Sequence, residues 1–262
     1  MARYIPGSGY DFMYLTGASN DRLRRLAEGD LYGRLGLMVS LDTPYLASHI
    51  PSYSAWALDN SCFAHAGEFD GDDFLFLLAR TIGHVDGAYE SCRFAVAPDV
   101  FDPTVMRGDP RATIDRSLPW FKQIRDCGAP PALVYQDGME WMEDEEIPWD
   151  EFDVAFIGGG NAFKLGYPSR VDRGICEYNV TRISWDTYLW ADLISRTLTR
   201  GKEVHVGRVN SWARVCFSIE AGATTVDGTT ATRGPEAAGC IETWLRRLIA
   251  LEKQRTLFDM VA

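Results

Sequence analysis

The chain has 262 residues, 46% of them hydrophobic and 24% charged, with a formal net charge of −11 and no low-complexity tract. That balance describes a soluble globular protein with enough apolar material for one large domain or two small ones. It excludes a membrane span, since no run approaches the ~18 apolar residues required, and it excludes coating of nucleic acid by bulk charge, which needs many Lys and Arg contacts to phosphates.

In chain order, short apolar runs alternate with amphipathic segments. Strands are predicted from Phe12 to Thr16, Leu35 to Ser40, Ala55 to Asp59, Phe94 to Pro98, Ala132 to Gln136, Val154 to Ile157, Glu203 to Val209 and Thr224 to Asp227. Helices are predicted near 20–28, 72–82, 111–127, 139–146, 185–200, 211–221 and 235–255. Strands that alternate with helices build βαβ units and a parallel sheet. Eight of them in a chain of this length predict an α/β fold, a (β/α)8 TIM barrel, in a single domain over residues 1–262. A doubly wound sheet is the alternative, but no Gly-x-Gly-x-x-Gly follows the first strand, and Gly158-Gly159-Gly160 comes late and without that spacing.

The cysteines (Cys62, Cys92, Cys127, Cys176, Cys216, Cys240) are widely spaced and form no Cys-x-x-Cys pair, and His49, His65, His84 and His205 are scattered among them. They read as reduced thiols and packed or surface imidazoles, so no structural zinc and no metal or redox cofactor is expected. The start, Met1-Ala2-Arg3-Tyr4-Ile5-Pro6, carries no long apolar stretch, and a cytoplasmic location is expected.

In parallel barrels the chemistry lies just past the C-terminal ends of the strands. The third predicted strand ends in Asp59-Asn60-Ser61-Cys62-Phe63, the fourth in Ala97-Pro98-Asp99 and the fifth in Tyr135-Gln136-Asp137-Gly138. The sixth ends in Gly158-Gly159-Gly160, the seventh in Gly207-Arg208-Val209-Asn210, and the eighth in Asp227. Each residue alone also has a structural explanation: Asp227 and Asp99 as turn or cap residues, the glycines as packing positions, Phe63 as core. Together they suit a flat purine-like ring. Asp99 and Gln136 can read an amide-and-amine edge, a Gly159 or Gly160 N–H can meet a ring carbonyl, and Phe63 can stack on the face. The remaining carboxylates, Asp59 and Asp227, fit a double displacement at a sugar carbon, one attacking while the other handles protons.

This set resembles the tRNA-guanine transglycosylases and, in its small size, their phage and bacterial relatives that insert 7-deazaguanines into DNA. The resemblance runs from about Trp56 to Arg233. Asp59-Asn60-Ser61-Cys62-Phe63 is similar to the family's Asp-Ser-Gly-Gly-aromatic segment, with the acid-to-aromatic spacing kept and both glycines lost. Asp99 matches the base-reading Asp. Gln136 matches the Gln of a Val-Gln-Gly strand end, here with Asp137 inserted before Gly138. Ile157-Gly158-Gly159 matches an Ile-Gly-Gly segment whose backbone meets the purine carbonyl. Val226-Asp227-Gly228-Thr229-Thr230-Ala231-Thr232-Arg233 is similar to Phe-Asp-Cys-x-x-Pro-Thr-Arg, which holds the nucleophilic Asp, with the Asp-to-Arg spacing kept and Pro replaced by Ala231. His205-Val206-Gly207 is similar to an apolar-Gly strand in which Val206 would cover the base.

The resemblance implies that Asp227 is the nucleophile and Asp59 the general acid/base, that Asp99, Gln136, Gly158, Gly159, Gly160, Phe63 and Val206 bind the base, and that Arg208 and Arg233 meet the nucleic-acid backbone. The tRNA enzymes carry a zinc-binding subdomain of three cysteines and a histidine after the Pro-Thr-Arg segment, whereas Cys240 is the lone cysteine after Asp227 here. The expected polymer is therefore DNA rather than tRNA, with a free 7-deazaguanine as co-substrate and with an auxiliary protein or a second copy of the chain to complete the docking surface. The alternative within catalysis is a transglycosylase acting on tRNA, or a hydrolase in which water takes the intermediate, and a non-catalytic base- or nucleic-acid-binding relative is the reading from another class.

Overall fold

Eight parallel strands close into a barrel in the hydrogen-bonded order β1-β10-β9-β8-β7-β4-β3-β2. They are β1 (Met13–Thr16), β2 (Leu35–Val39), β3 (Trp56–Leu58), β4 (Cys92–Val96), β7 (Pro131–Tyr135), β8 (Val154–Ile157), β9 (Glu203–Val206) and β10 (Thr225–Gly228). The computed structural model describes residues 12–102, 107–159, 185–229 and 235–259. All eight predicted strands are present, each within a few residues of its expected limits. The antiparallel hairpin β5 (Phe101–Asp102) and β6 (Arg107–Gly108) was not foreseen.

Side chains alternate across each strand, and both faces are buried, which is why these segments read as continuous apolar runs. One set fills the barrel: Met13, Leu15, Met38, Ala55, Ala57, Phe94, Val96, Ala132, Val134, Val154 and Phe156. Small residues offset large ones there. Gly36 has no room for more, since an added Cβ would lie 2.6 Å from Leu15 Cδ2. The opposite set, including Tyr14, Leu37, Trp56, Leu133, Ile157, Val204, Val206 and Val226, packs under the helices.

Helices α1 (Asp21–Glu28), α2 (Gly71–His84), α3 (Ala88–Ser91), α4 (Pro110–Asp126), α5 (Trp185–Thr199), α6 (Trp212–Glu220) and α7 (Pro235–Asp259) form the outer layer. Polar N-caps set the starts of four of them. Asn20, Asp70, Asp109 and Ser211 each accept a hydrogen bond from the backbone N–H three residues on. The helix expected near 139–146 does not form: Gly138 turns left-handed at φ 106° and the segment makes two separate 3-10 turns, Met139–Trp141 and Asp144–Glu146. A further 3-10 stretch spans Pro44–Ser52. No helix among the described residues is long and apolar enough to cross a membrane.

Candidate active site

The turn after β3 is built by its own side chains. Asp59 Oδ1 accepts from Ser61 N at 3.1 Å and Asn60 Oδ1 accepts from Cys62 N at 2.9 Å. These two bonds hold Ser61 at φ 59°, in the left-handed region. The chain therefore turns sharply, buries Cys62 and sets Phe63 at the barrel mouth, 47% exposed, with its ring 4.7 Å from that of Phe101. Asn60 Nδ2 then donates to Ala97 O at 2.8 Å and to Asp99 Oδ1 at 3.0 Å, fastening the end of β3 to the segment after β4.

Asp99 is buried, and its second oxygen accepts from Gln136 Nε2 at 2.6 Å. Burial raises the Asp99 carboxyl above the ordinary carboxylate range. The β5–β6 hairpin lies directly on Gln136. A Cβ at Gly108 would come 2.1 Å from Gln136 Cδ, so only glycine allows this approach. Asn60 and Gly108 are the site residues that sequence reasoning missed. Asn60 was visible beside Asp59, but its reach to the next strand depends on barrel closure.

Across the mouth, the Asp227 carboxylate accepts a hydrogen bond from Arg208 N. Below it, inside the barrel, His205 is fully buried between Phe156 and Phe94, with ring centroids 4.6 Å and 4.9 Å away. His205 Nδ1 lies 2.8 Å from Thr225 Oγ1, and its Nε2 is 4.0 Å from Asp227 Oδ2. Arg208 holds φ 59°, unusual for a residue with a side chain. Its Nη2 donates to Gly158 O and Gly159 O at 3.1 Å each, and its Cζ sits 4.4 Å over the Phe63 ring.

These groups surround one cavity of about 300 Å³. Met38, Val96, Val134 and Phe156 make its apolar floor, and Asp59, Asn60, Phe63, Asp99, Gln136, Gly158, Arg208 and Asp227 line its wall and mouth. Burial, reinforced by the Asp227 charge, pushes the Asp59 carboxyl from 3.8 up to about 7. Asp59 therefore exchanges protons near neutral pH while sharing a cavity with a second carboxylate. Such a pair can divide proton transfer and nucleophilic attack between two chemically identical groups.

Two expected base contacts are corrected by the backbone. Val206 does not reach the cavity. The strand parity of β9 turns His205 and Gly207 inward and buries Val206 under the helices. The Gly159 N–H is not offered to a ligand, because Gly158 N and Gly159 N both donate to Tyr135 O at 3.0 Å. The carbonyls of that turn face Arg208 instead. Gly160 and Arg233 lie outside the described residues. Among the described residues, no group of three His, Cys, Asp or Glu side chains could hold a metal ion.

No family model and no curated protein matches the chain. A variant of the tryptophan synthase α-subunit from the hyperthermophile Pyrococcus furiosus is similar over 92% of this chain and 98% of that one, with a TM-score of 0.52 and 14% identity. A native KDPGal structure is similar over 93% and 95%, with a TM-score of 0.53 and 11% identity. What they share with this chain is the TIM barrel. At such identity the likeness carries the fold and leaves the chemistry to the residues at the barrel mouth.

Proposed function

We propose that the barrel is a guanine transglycosylase that exchanges guanine in DNA for a 7-deazaguanine. The observation that carries this reading is the division of one cavity into a base-reading wall, Asp99 with Gln136, and a separate pair of carboxylates, Asp59 and Asp227. The cavity volume suits a single purine ring, and Phe63 supplies an aromatic face at its mouth.

In this mechanism the Asp227 carboxylate attacks C1′ of the deoxyribose, the glycosidic bond breaks, and its electron pair leaves with the guanine ring. Asp59 delivers its proton to that ring. A 7-deazaguanine then replaces guanine, Asp59 removes the proton from its glycosidic nitrogen, and that nitrogen displaces Asp227 from C1′. One glycosidic bond is lost and one gained, and Asp59 ends protonated as it began. A carboxyl poised near 7 suits both halves, because it is a competent acid in the first and a competent base in the second.

The polymer is DNA in this reading because the segment after Asp227 goes into α7, which joins the outer layer beside α1 through the Arg22–Glu242 and Arg246–Asp30 ion pairs. That is the region in which the tRNA enzymes carry their zinc subdomain. The target nucleotide would have to leave the stack to reach the cavity. Nucleosides from DNA and from tRNA, each incubated with the protein and a 7-deazaguanine, would be separated by mass spectrometry. A modified deoxynucleoside is expected, and it should vanish with Asp227→Asn while guanine binding persists. Modification of tRNA alone would overturn the choice of polymer, and unchanged exchange by Asp227→Asn would overturn the nucleophile.

A further inference from the structure

We infer that His205 is a positioning residue for the nucleophile: its Nε2–H, aimed from inside the barrel at the second oxygen of Asp227, holds that carboxylate ionised and in place. This rests on the base-exchange reading above, whose steps leave His205 without a part.

The placement follows from strand register. β9 and β10 run parallel with Thr225 opposite His205 and Val226 opposite Val206. Alternation sends His205 and Thr225 into the barrel in one layer, and Asp227, two residues past Thr225, into the layer above. The next inward position on β9 is Gly207, which has no side chain to stand between them; a Cβ there would lie 2.9 Å from Phe156 Cε1. The imidazole thus comes up beneath the carboxylate, with Nε2 4.0 Å from Oδ2.

The barrel around His205 is filled by Met, Leu, Ala, Val and Phe side chains, and a polar ring in such a place is costly. His205 is 0% exposed, with Phe94 and Phe156 packed on it. Leucine would fill that space as well, so it is the nitrogens that account for the imidazole.

The two nitrogens have different partners. Nδ1 lies 2.8 Å from Thr225 Oγ1, and a neutral imidazole has one donor nitrogen and one acceptor. With the proton on Nδ1, Nε2 would set a lone pair against the Asp227 carboxylate, a repulsion that low-dielectric surroundings magnify. The arrangement that avoids this has Thr225 Oγ1–H donating to Nδ1, which puts the proton on Nε2 and points the N–H dipole at Oδ2. At 4.0 Å the contact is electrostatic rather than a hydrogen bond. Oδ1 is held separately, by Arg208 N. Held from the mouth and from below, the carboxylate keeps one orientation toward C1′. It gives up its charge on bonding to C1′ and regains it when the incoming base displaces it, and a fixed N–H dipole favours that return.

The test is steady-state exchange of labelled guanine into DNA by the whole protein and its variants, with thermal unfolding of each. His205→Leu should fold as stably as the wild type or more so, while kcat falls by at least about tenfold and KM for guanine changes by less than about twofold. His205→Gln, which can bring an N–H to the place of Nε2, should restore kcat to within about threefold of the wild type. Thr225→Val removes the hydroxyl that orients the ring and should lower kcat by less than His205→Leu. Combined with His205→Leu it should cost nothing more in kcat, because the hydroxyl acts through the imidazole. Unchanged kcat in His205→Leu would overturn the inference, as would a loss that glutamine does not restore. Should His205→Leu fail to fold, Thr225→Val decides, and wild-type kcat in that variant would overturn the inference. Absence of exchange by the wild type would instead remove the base-exchange reading and this inference with it, a result distinct from variants slowed relative to an active wild type.

Discussion

Replacing Asp59 by asparagine is expected to stabilise the fold at pH 8 while slowing base exchange. The Asp59 carboxyl stands at about 7 in the folded protein, raised first by burial and then by Asp227, against 3.8 when unperturbed. A carboxyl raised on folding binds its proton more tightly in the native state, so its ionisation destabilises that state as pH rises from 3.8 to 7. The penalty is absent below 3.8, grows through that window and is constant above about 7. At about 1.4 kcal/mol per pH unit its ceiling is about 4 kcal/mol, and solvent in the cavity brings the expected gain to about 2–4 kcal/mol. Asparagine keeps an oxygen for the Ser61 N–H and carries no charge, so little else changes. Denaturant unfolding of both proteins at pH 4, 5.5 and 8 measures the difference, which should open with pH and then level off. A difference independent of pH would refute the argument. Exchange by the same variant should fall by about 10²–10⁴-fold, the usual contribution of a positioned acid/base.

Gly108→Ala should cost about 1–3 kcal/mol, because its Cβ would overlap Gln136 Cδ and the hairpin must lift. Guanine affinity should fall with it, and thermal unfolding together with base titration would expose an error if neither changed. Asn60→Ala removes the donor to Ala97 O and Asp99 Oδ1 and should destabilise by about 1–3 kcal/mol, read as a lower denaturant midpoint with an unchanged slope.

The barrel was legible because each strand is buried on both faces, so Leu35–Val39 or Pro131–Tyr135 stands out as an unbroken apolar run whatever its neighbours. The strand-end polar residues were legible because a barrel brings all its C-terminal ends to one rim, and Asp59, Asp99, Gln136 and Asp227 accordingly line one cavity. What failed was orientation at single-residue resolution. Val206 sits beside a glycine at a strand end, which marks it as a site residue, yet a shift of one position in β9 exchanges its face with that of His205. A glycine bares its backbone, which in sequence points to a Gly159 N–H open to a ligand. Which way the peptide turns depends on Tyr135 O, two hydrogen bonds that no local pattern reveals. The hairpin β5–β6 pairs only two residues on each side, too short for any periodicity. At 139–146 the Gly138 turn and the restart at Glu143 divided what composition presented as one helix.

The imidazole of His205, clasped by two phenyl rings beneath the site, makes the barrel its own reporter. Ring currents from Phe94 and Phe156 will carry its carbon-bound protons well away from ordinary histidine resonances. Its Nε2 lies 4.0 Å from the Asp227 carboxylate, so any event at that carboxylate alters the magnetic environment of one isolated spin system. Titration of ligand into protein labelled at histidine can therefore count occupied cavities and time their turnover through a single signal.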